Sequence, residues 1–373
     1  MNISREFQVF IKPAGGDCNL RCSYCYYIDK QGLSKGIMSD TVLEKCIEEL
    51  AAATTDNNIF FAWHGGEPTL AGLDFFRKAV RLQKVILGSG KRIINGIQTN
   101  ATLLDDGWCR FLSDENFIVG VSIDGPQKFH DKLRKSGYNK SSFTKALDGY
   151  SLLRKYNVST EILTVVSSVN AGYPEEVYDF LRSLGSEYIT FLPYVKKISK
   201  TETGISNDSV KAETFGSFLI SVFDKWISMD IGKIKIQIIE EALRTAFKQD
   251  HTVCIFKKTC GGVPVVERNG DFFSCDHFVV KEHHIGNINN NSLAELLDSP
   301  YQISFGQVKK NTLPQYCLDC EVLDMCNGEC PKNRFLFSPD GEPGLNYLCE
   351  GYKLFFNYIK PFADTVAEAW QKS

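Results

Sequence analysis

Residues 7–27 read FQVFIKPAGGDCNLRCSYCYY, a short apolar, β-branched run followed at once by a loop with three cysteines. The run is a candidate strand, and the loop spaces Cys18, Cys22 and Cys25 as C-x3-C-x2-C. Three thiolates on one short loop can hold three irons of a cubane cluster, which leaves the fourth iron open to a ligand that is not protein.

Outward from this stretch the pattern repeats. Further candidate strands are IFFAW from Ile59, RIINGIQT from Arg92, FIVGVSI from Phe117, EILTVV from Glu161 and YITFLP from Tyr188, each followed by a helical stretch. In the helix expected near Ser39, that serine or Asp40 can cap, and Val42, Leu43, Cys46, Ile47 and Leu50 fall on one face. Six successive βα units predict an α/β fold whose parallel sheet curls through right-handed crossovers into a partial (β/α)6 TIM-like barrel. Functional residues should then lie at the C-terminal ends of the strands. The segment from 195 to 250 reads as a helical bridge; beyond it periodicity weakens and cysteines crowd together, as in a metal-stapled domain with little core. The expected division is 1–235 for barrel and bridge, and 236–373 for the cysteine-rich part.

Hydrophobic content of 43%, charged content of 23% and 26 phenylalanines describe a globular chain with ample core. A net charge of -3 offers no global attraction to nucleic acid. No run of about 18 uncharged apolar residues suggests a membrane span, and the N-terminus has no secretory h-region, so a cytoplasmic protein is expected.

Thirteen cysteines in such a chain are better read as metal ligands than as disulfides. Eight lie toward the C-terminus: Cys254, Cys260, Cys275, Cys317, Cys320, Cys326, Cys330 and Cys349. They divide into two sets of four, and full ligation would close both metals to substrate, leaving electron transfer or structural stapling as their work. Structural zinc is the alternative reading of this group alone. Cys46 and Cys109 read as small buried hydrophobes. His277, His283 and His284 read as loop residues.

The C-x3-C-x2-C loop after strand one, with Tyr24 beside the last cysteine, resembles the signature of the radical S-adenosylmethionine superfamily. Gly65, Gly66, Glu67 and Pro68 form GGEP after the second strand, which resembles that superfamily's motif for the methionine amino group. The C-terminal part resembles the cysteine-rich SPASM extension through Cys260, Gly270 and Cys275. By that resemblance one auxiliary cluster takes Cys254, Cys260, Cys275 and Cys330, and the other takes Cys317, Cys320, Cys326 and Cys349. Across nearly the whole chain the sequence resembles anaerobic sulfatase-maturating enzymes, in IKPAGGDCNLRCSYCYY, GIMSD, GGEPTLAGLDFF, IQTNATLLD, VGVSIDGP, CDHFVV and NYLCEGYK. It departs from them at His64, where glutamine is expected before GGEP, and in a short polar loop over 201–209.

The resemblance implies three 4Fe-4S clusters, S-adenosyl-L-methionine, a peptide or unfolded sulfatase as substrate, and an electron donor such as flavodoxin or ferredoxin. It implies oxidation of a Cys or Ser to Cα-formylglycine by way of a 5′-deoxyadenosyl radical, with Asp276 as the general base. Glu67 would accept from the cofactor's ammonium, its alternative being a carboxylate at a helix start. Gln98, Ser122 and Arg134 would contact ribose or carboxylate, and Tyr27 and His64 would line the substrate cavity. A competing function is thioether or carbon-carbon crosslinking of a ribosomal precursor peptide, since the same pair of domains serves both.

Overall fold

The structure, a computed structural model, describes residues 7–27, 36–88, 90–137, 139–198 and 204–372. The start of the polar loop, 201–203, lies outside them. Ten strands frame the sites: β1 (Phe10–Ile11), β2 (Asn58–Trp63), β3 (Arg92–Thr99), β4 (Ile118–Ser122), β5 (Ser159–Val166), β6 (Tyr188–Pro193), β7 (Lys235–Ile236), β8 (Val265–Val266), β9 (Asp271–Phe273) and β10 (His284–Asn287). The chain forms two compact units, one of Met1–Ser122, Leu133–Thr160 and Gly261–Gly306, the other of Ile123–Lys132, Glu161–Cys260 and Gln307–Ser373.

In the first unit β1 to β4 pair in parallel in sequence order, as expected for consecutive βα units. Along β2, Ile59 and Phe61 are buried while Asn58 and Phe60 face outward, the period of two that a strand imposes. The buried Trp63 indole donates to Asn95 Oδ1 at 2.9 Å, and the Gln83 and Asn95 amides exchange two hydrogen bonds of 3.0 Å. Buried polar groups beneath the strand ends are thus satisfied. Helix Asp40–Ala53 is capped by Ser39, whose hydroxyl accepts from the Val42 amide, and it buries Val42, Leu43, Cys46, Ile47 and Leu50, the face read from sequence.

The free side of β1 is occupied by a segment in which sequence periodicity had shown no strand. β8 pairs with β1 in parallel, Phe10 opposite Val265 and Ile11 opposite Val266, and β9 and β10 follow antiparallel. Strands of two to four residues are too short to carry a readable period. His284 therefore opens a strand, and His277 and His283 sit in 3-10 turns rather than in irregular loop.

In the second unit β5, β6 and β7 pair in parallel. Helix Ala212–Met229 packs on helix Cys349–Gln371 through two glycines. A Cβ on Gly216 would stand 2.6 Å from the Gly351 carbonyl oxygen, and one on Gly351 would stand 2.1 Å from that of Ala212. Bare backbone at both positions lets aromatic side chains flank the crossing, with Phe215 edge-on to Tyr352 at 5.5 Å and Phe223 edge-on to Phe362 at 5.4 Å. Among the described residues no helix is long and apolar enough to cross a membrane.

Overpacking of this kind costs about 1–3 kcal/mol. Gly216→Ala is expected to lower stability by that amount, read as a lower midpoint in urea denaturation followed by circular dichroism.

Candidate functional site: a cysteine loop locked to a glycine turn

The loop after β1 is held from two directions. Its 15–17 segment receives the second strand's exit, where the Gly66 amide donates to Gly15 O and the Glu67 amide to Asp17 O, both at 2.8 Å. A Cβ on Gly66 would lie 2.2 Å from Asp17 O, and one on Gly65, which also has φ of 122°, would lie 2.5 Å from Gly15 O. Only glycine permits that approach. On the other side the Arg21 amide donates to Lys135 O at 2.7 Å and the Ser23 amide to Leu133 O at 2.9 Å. Cys18, Cys22 and Cys25 are thereby set on a braced loop, with Cys25 packed against Tyr27, Val265, Phe273 and Val279.

Glu67 is buried, and its carboxylate accepts from the Thr69 amide (3.0 Å), the Thr69 hydroxyl (2.6 Å), the Thr99 hydroxyl (2.7 Å) and the Asn100 amide (2.8 Å). It therefore caps the 3-10 turn Pro68–Ala71. Three of these donors meet Oε1 and one meets Oε2, so Oε2 keeps capacity to accept again. Burial raises the Glu67 pKa while these donors oppose the rise. Asn100 extends the chain of contacts: its side-chain amide reaches Cys18 Sγ at 3.7 Å and Asn19 Oδ1 at 2.9 Å. Gln98 donates to Ser122 Oγ at 3.0 Å, and Arg134 donates to the Tyr24 hydroxyl, so these expected cofactor contacts are brought together in two pairs.

A second cluster in the same unit is built on Lys12, a fully buried lysine. Its ammonium pairs with Asp276, stands 3.9 Å from Glu267 Oε1, and lies 3.8 Å from the centroid of the Tyr27 ring. Tyr26 donates to Asp276, and the Tyr27 hydroxyl lies 3.3 Å from Asp276 and 3.1 Å from Glu267. Burial by itself would raise the Asp276 carboxyl, but the Lys12 ammonium beside it holds it far below the usual carboxylate range. His64 stacks flat on Phe10 at 4.7 Å. Its buried Nδ1 has no hydrogen-bond partner among the described residues, and burial lowers its pKa, favouring neutral imidazole.

In the second unit Cys317, Cys320, Cys326 and Cys349 line one pocket. None of the thirteen cysteines is in a disulfide. Burial pushes the thiols of Cys18, Cys326 and Cys349 up to about 12. Such groups stay protonated in isolation and ionise when a metal supplies the compensating charge. Thiolate is the ordinary ligand of iron-sulfur clusters, so the donor chemistry of these four cysteines suits such a group and that of the triplet suits one with an open iron.

A family model described as the radical SAM superfamily matches residues 13–181, and one described as an iron-sulfur cluster-binding domain matches residues 259–321. The chain is 43% identical to the serine-type anaerobic sulfatase-maturating enzyme of Bacteroides thetaiotaomicron, over 97% of its own length and 91% of that relative's. This chain belongs to the anaerobic sulfatase-maturating enzymes. It is also 33% identical to the cysteine-type enzyme of Clostridium perfringens, over 96% of this chain and 98% of the relative. The solved structure of native anSMEcpe with bound AdoMet and Cp18Cys peptide matches with a TM-score of 0.89 at 33% identity, over 97% of this chain and 99% of that one.

The motif residues of this maturase are legible in its sequence more readily than the residues that support them. Lys12, Glu267 and Asn100 carry no signal that the sequence reading used, and Tyr26 enters it only as an aromatic flanking Cys25, with no role at the site. A lysine within an apolar strand, as in FQVFIKP, is the one signal that could have found Lys12, because an ammonium is almost never fully buried without a partner. Tyr27, expected in the substrate cavity, is buried with its hydroxyl turned to the two carboxylates.

Removing one member of a buried ion pair leaves an uncompensated charge, at a cost of about 3–5 kcal/mol. Lys12→Met is expected to destabilise the first unit by that amount, and Lys12→Arg by less. Urea titration of the two variants in parallel checks the difference.

Proposed function

We propose that this chain oxidises a cysteine or serine of a sulfatase to Cα-formylglycine, with three 4Fe-4S clusters and S-adenosyl-L-methionine. The observation that carries the reading is one compact unit holding both the braced cysteine triplet with its glycine turn and the Lys12–Asp276–Tyr26 cluster. When bound, the cofactor and the cluster on the open-iron loop supply a 5′-deoxyadenosyl radical, and the auxiliary clusters supply a sink for one electron.

The protein's own part is to bind, orient and move a proton. Cys18, Cys22 and Cys25 hold the open-iron cluster, and the eight C-terminal cysteines hold two more. The Gly65–Gly66 turn, Glu67 through Oε2, the Gln98–Ser122 pair and the Arg134–Tyr24 pair bind the cofactor at the strand ends. Asp276 takes the proton from the substrate thiol or hydroxyl, and Lys12 keeps that carboxylate ionised beforehand. Tyr26 and Tyr27 orient it, and His64, stacked on Phe10, would line the substrate cavity. A flavodoxin or ferredoxin in the cytoplasm would deliver the electron that starts the reaction.

Reduced enzyme with S-adenosylmethionine and a CxPxR or SxPxR peptide is expected to yield an aldehyde trapped by a hydrazide. Asp276→Asn is expected to lower aldehyde yield by about a hundredfold, the scale of general-base assistance, while 5′-deoxyadenosine still forms. Release of 5′-deoxyadenosine with both peptides left unmodified would overturn the reading.

A further inference from the structure

Two cations in the second unit lie next to cysteines and have no carboxylate partner within ion-pair distance among the described residues. Lys309 is fully buried, and its ammonium donates to the carbonyl oxygens of Cys254 at 3.1 Å and Ile255 at 2.6 Å. Arg334 spends its guanidinium on three more backbone carbonyls, Gly328 at 2.7 Å, Asn327 at 2.8 Å and Lys309 at 2.6 Å. Lys309 thus stands at the backbone of Cys254, and Arg334 at the 327–328 backbone between Cys326 of one set and Cys330 of the other. One buried carboxylate opposes them: Glu329 accepts from the neutral amides of Asn333 at 3.1 Å and Asn346 at 2.7 Å. Carbonyl dipoles satisfy the donors of a buried cation but leave its charge uncompensated. An iron-sulfur cluster ligated by thiolates is anionic and provides the missing counter-charge.

We infer that Lys309 and Arg334 raise the reduction potentials of the auxiliary clusters, with Glu329 holding them down. The inference rests on the reading that the C-terminal cysteines hold redox-active clusters. Reduction adds one negative charge to a cluster. A nearby buried cation stabilises that product more than the oxidised form, because the surrounding dielectric is low. Raised potentials suit centres that must accept an electron from a substrate radical. Lys309 serves the cluster that includes Cys254 and Cys260, and Arg334 reaches both sets. All three residues are positioning residues, acting through charge on a group they do not ligate.

The test uses the full chain with Cys18, Cys22 and Cys25 replaced by alanine, reconstituted with iron and sulfide anaerobically so that only auxiliary clusters remain. Iron and sulfide analysis first establishes that they load; a variant free of iron would remove the reading beneath the inference, and with it the inference. Redox titration followed by electron paramagnetic resonance then compares Lys309→Met, Lys309→Arg and Glu329→Gln in that background. Lys309→Met is expected to shift the reduced-to-oxidised ratio at a fixed poise about tenfold toward oxidised, about 59 mV for one electron. Lys309→Arg should stay near the parent, and Glu329→Gln should shift toward reduced. Opposite signs are the signature of charge, since a merely structural role would move Lys309→Met and Glu329→Gln alike. Unchanged midpoints, or shifts of one sign, overturn the inference. If Lys309→Met does not load iron, the sign of the Glu329→Gln shift decides.

Discussion

The approach of one backbone to another between residues 15–17 and the Gly65–Gly66 turn is the constraint on which the first unit's chemistry depends. Two amide-to-carbonyl hydrogen bonds of 2.8 Å join the end of β2 to the loop after β1, and no side chain fits between them. That contact places the cysteine triplet and Glu67 on a common frame. Asn100 then ties the frame together, its amide on Glu67 and its side chain on Cys18. The cofactor site proposed at these strand ends would need such bracing, because a loop positioned only by its own turns would not hold ligands to the tolerance that chemistry demands.

A second theme is the use of buried cations where most proteins avoid them. Lys12 and Lys309 are both fully buried, each in one of the two units. Lys12 is paired with carboxylates and stabilises the anionic state of the group expected to take a proton. Lys309 is surrounded by carbonyl oxygens and lies next to thiols whose ionised form would match it. In each case desolvation is offset only by negative charge close by, so the lysines mark where the protein must hold such charge. His64 contrasts with both, since burial lowers its pKa and favours the neutral ring next to the Lys12 pair.

Much of this was legible in the chain. The six parallel strands, the helix face of Val42 to Leu50, and the burial of Cys46 and Cys109 follow from hydrophobic periodicity, a local property. The cysteine triplet and GGEP are equally local, since a loop ligand set and a close-approach turn each need particular residues a few positions apart. β8, β9 and β10 escaped because their strands are too short for any period, and their pairing is decided by the open side of β1.

The sequence by itself therefore determined the βα succession, the chemistry available on the first loop and the presence of surplus thiols. Tertiary structure alone decided which charges meet. Lys12 finds Asp276 across 264 positions, and Lys309 finds the Cys254 carbonyl across 55. No periodicity encodes those pairings, because electrostatic and hydrogen-bond energies depend on distance in space and on exclusion of water, and both are set only when the strands and helices have closed around them.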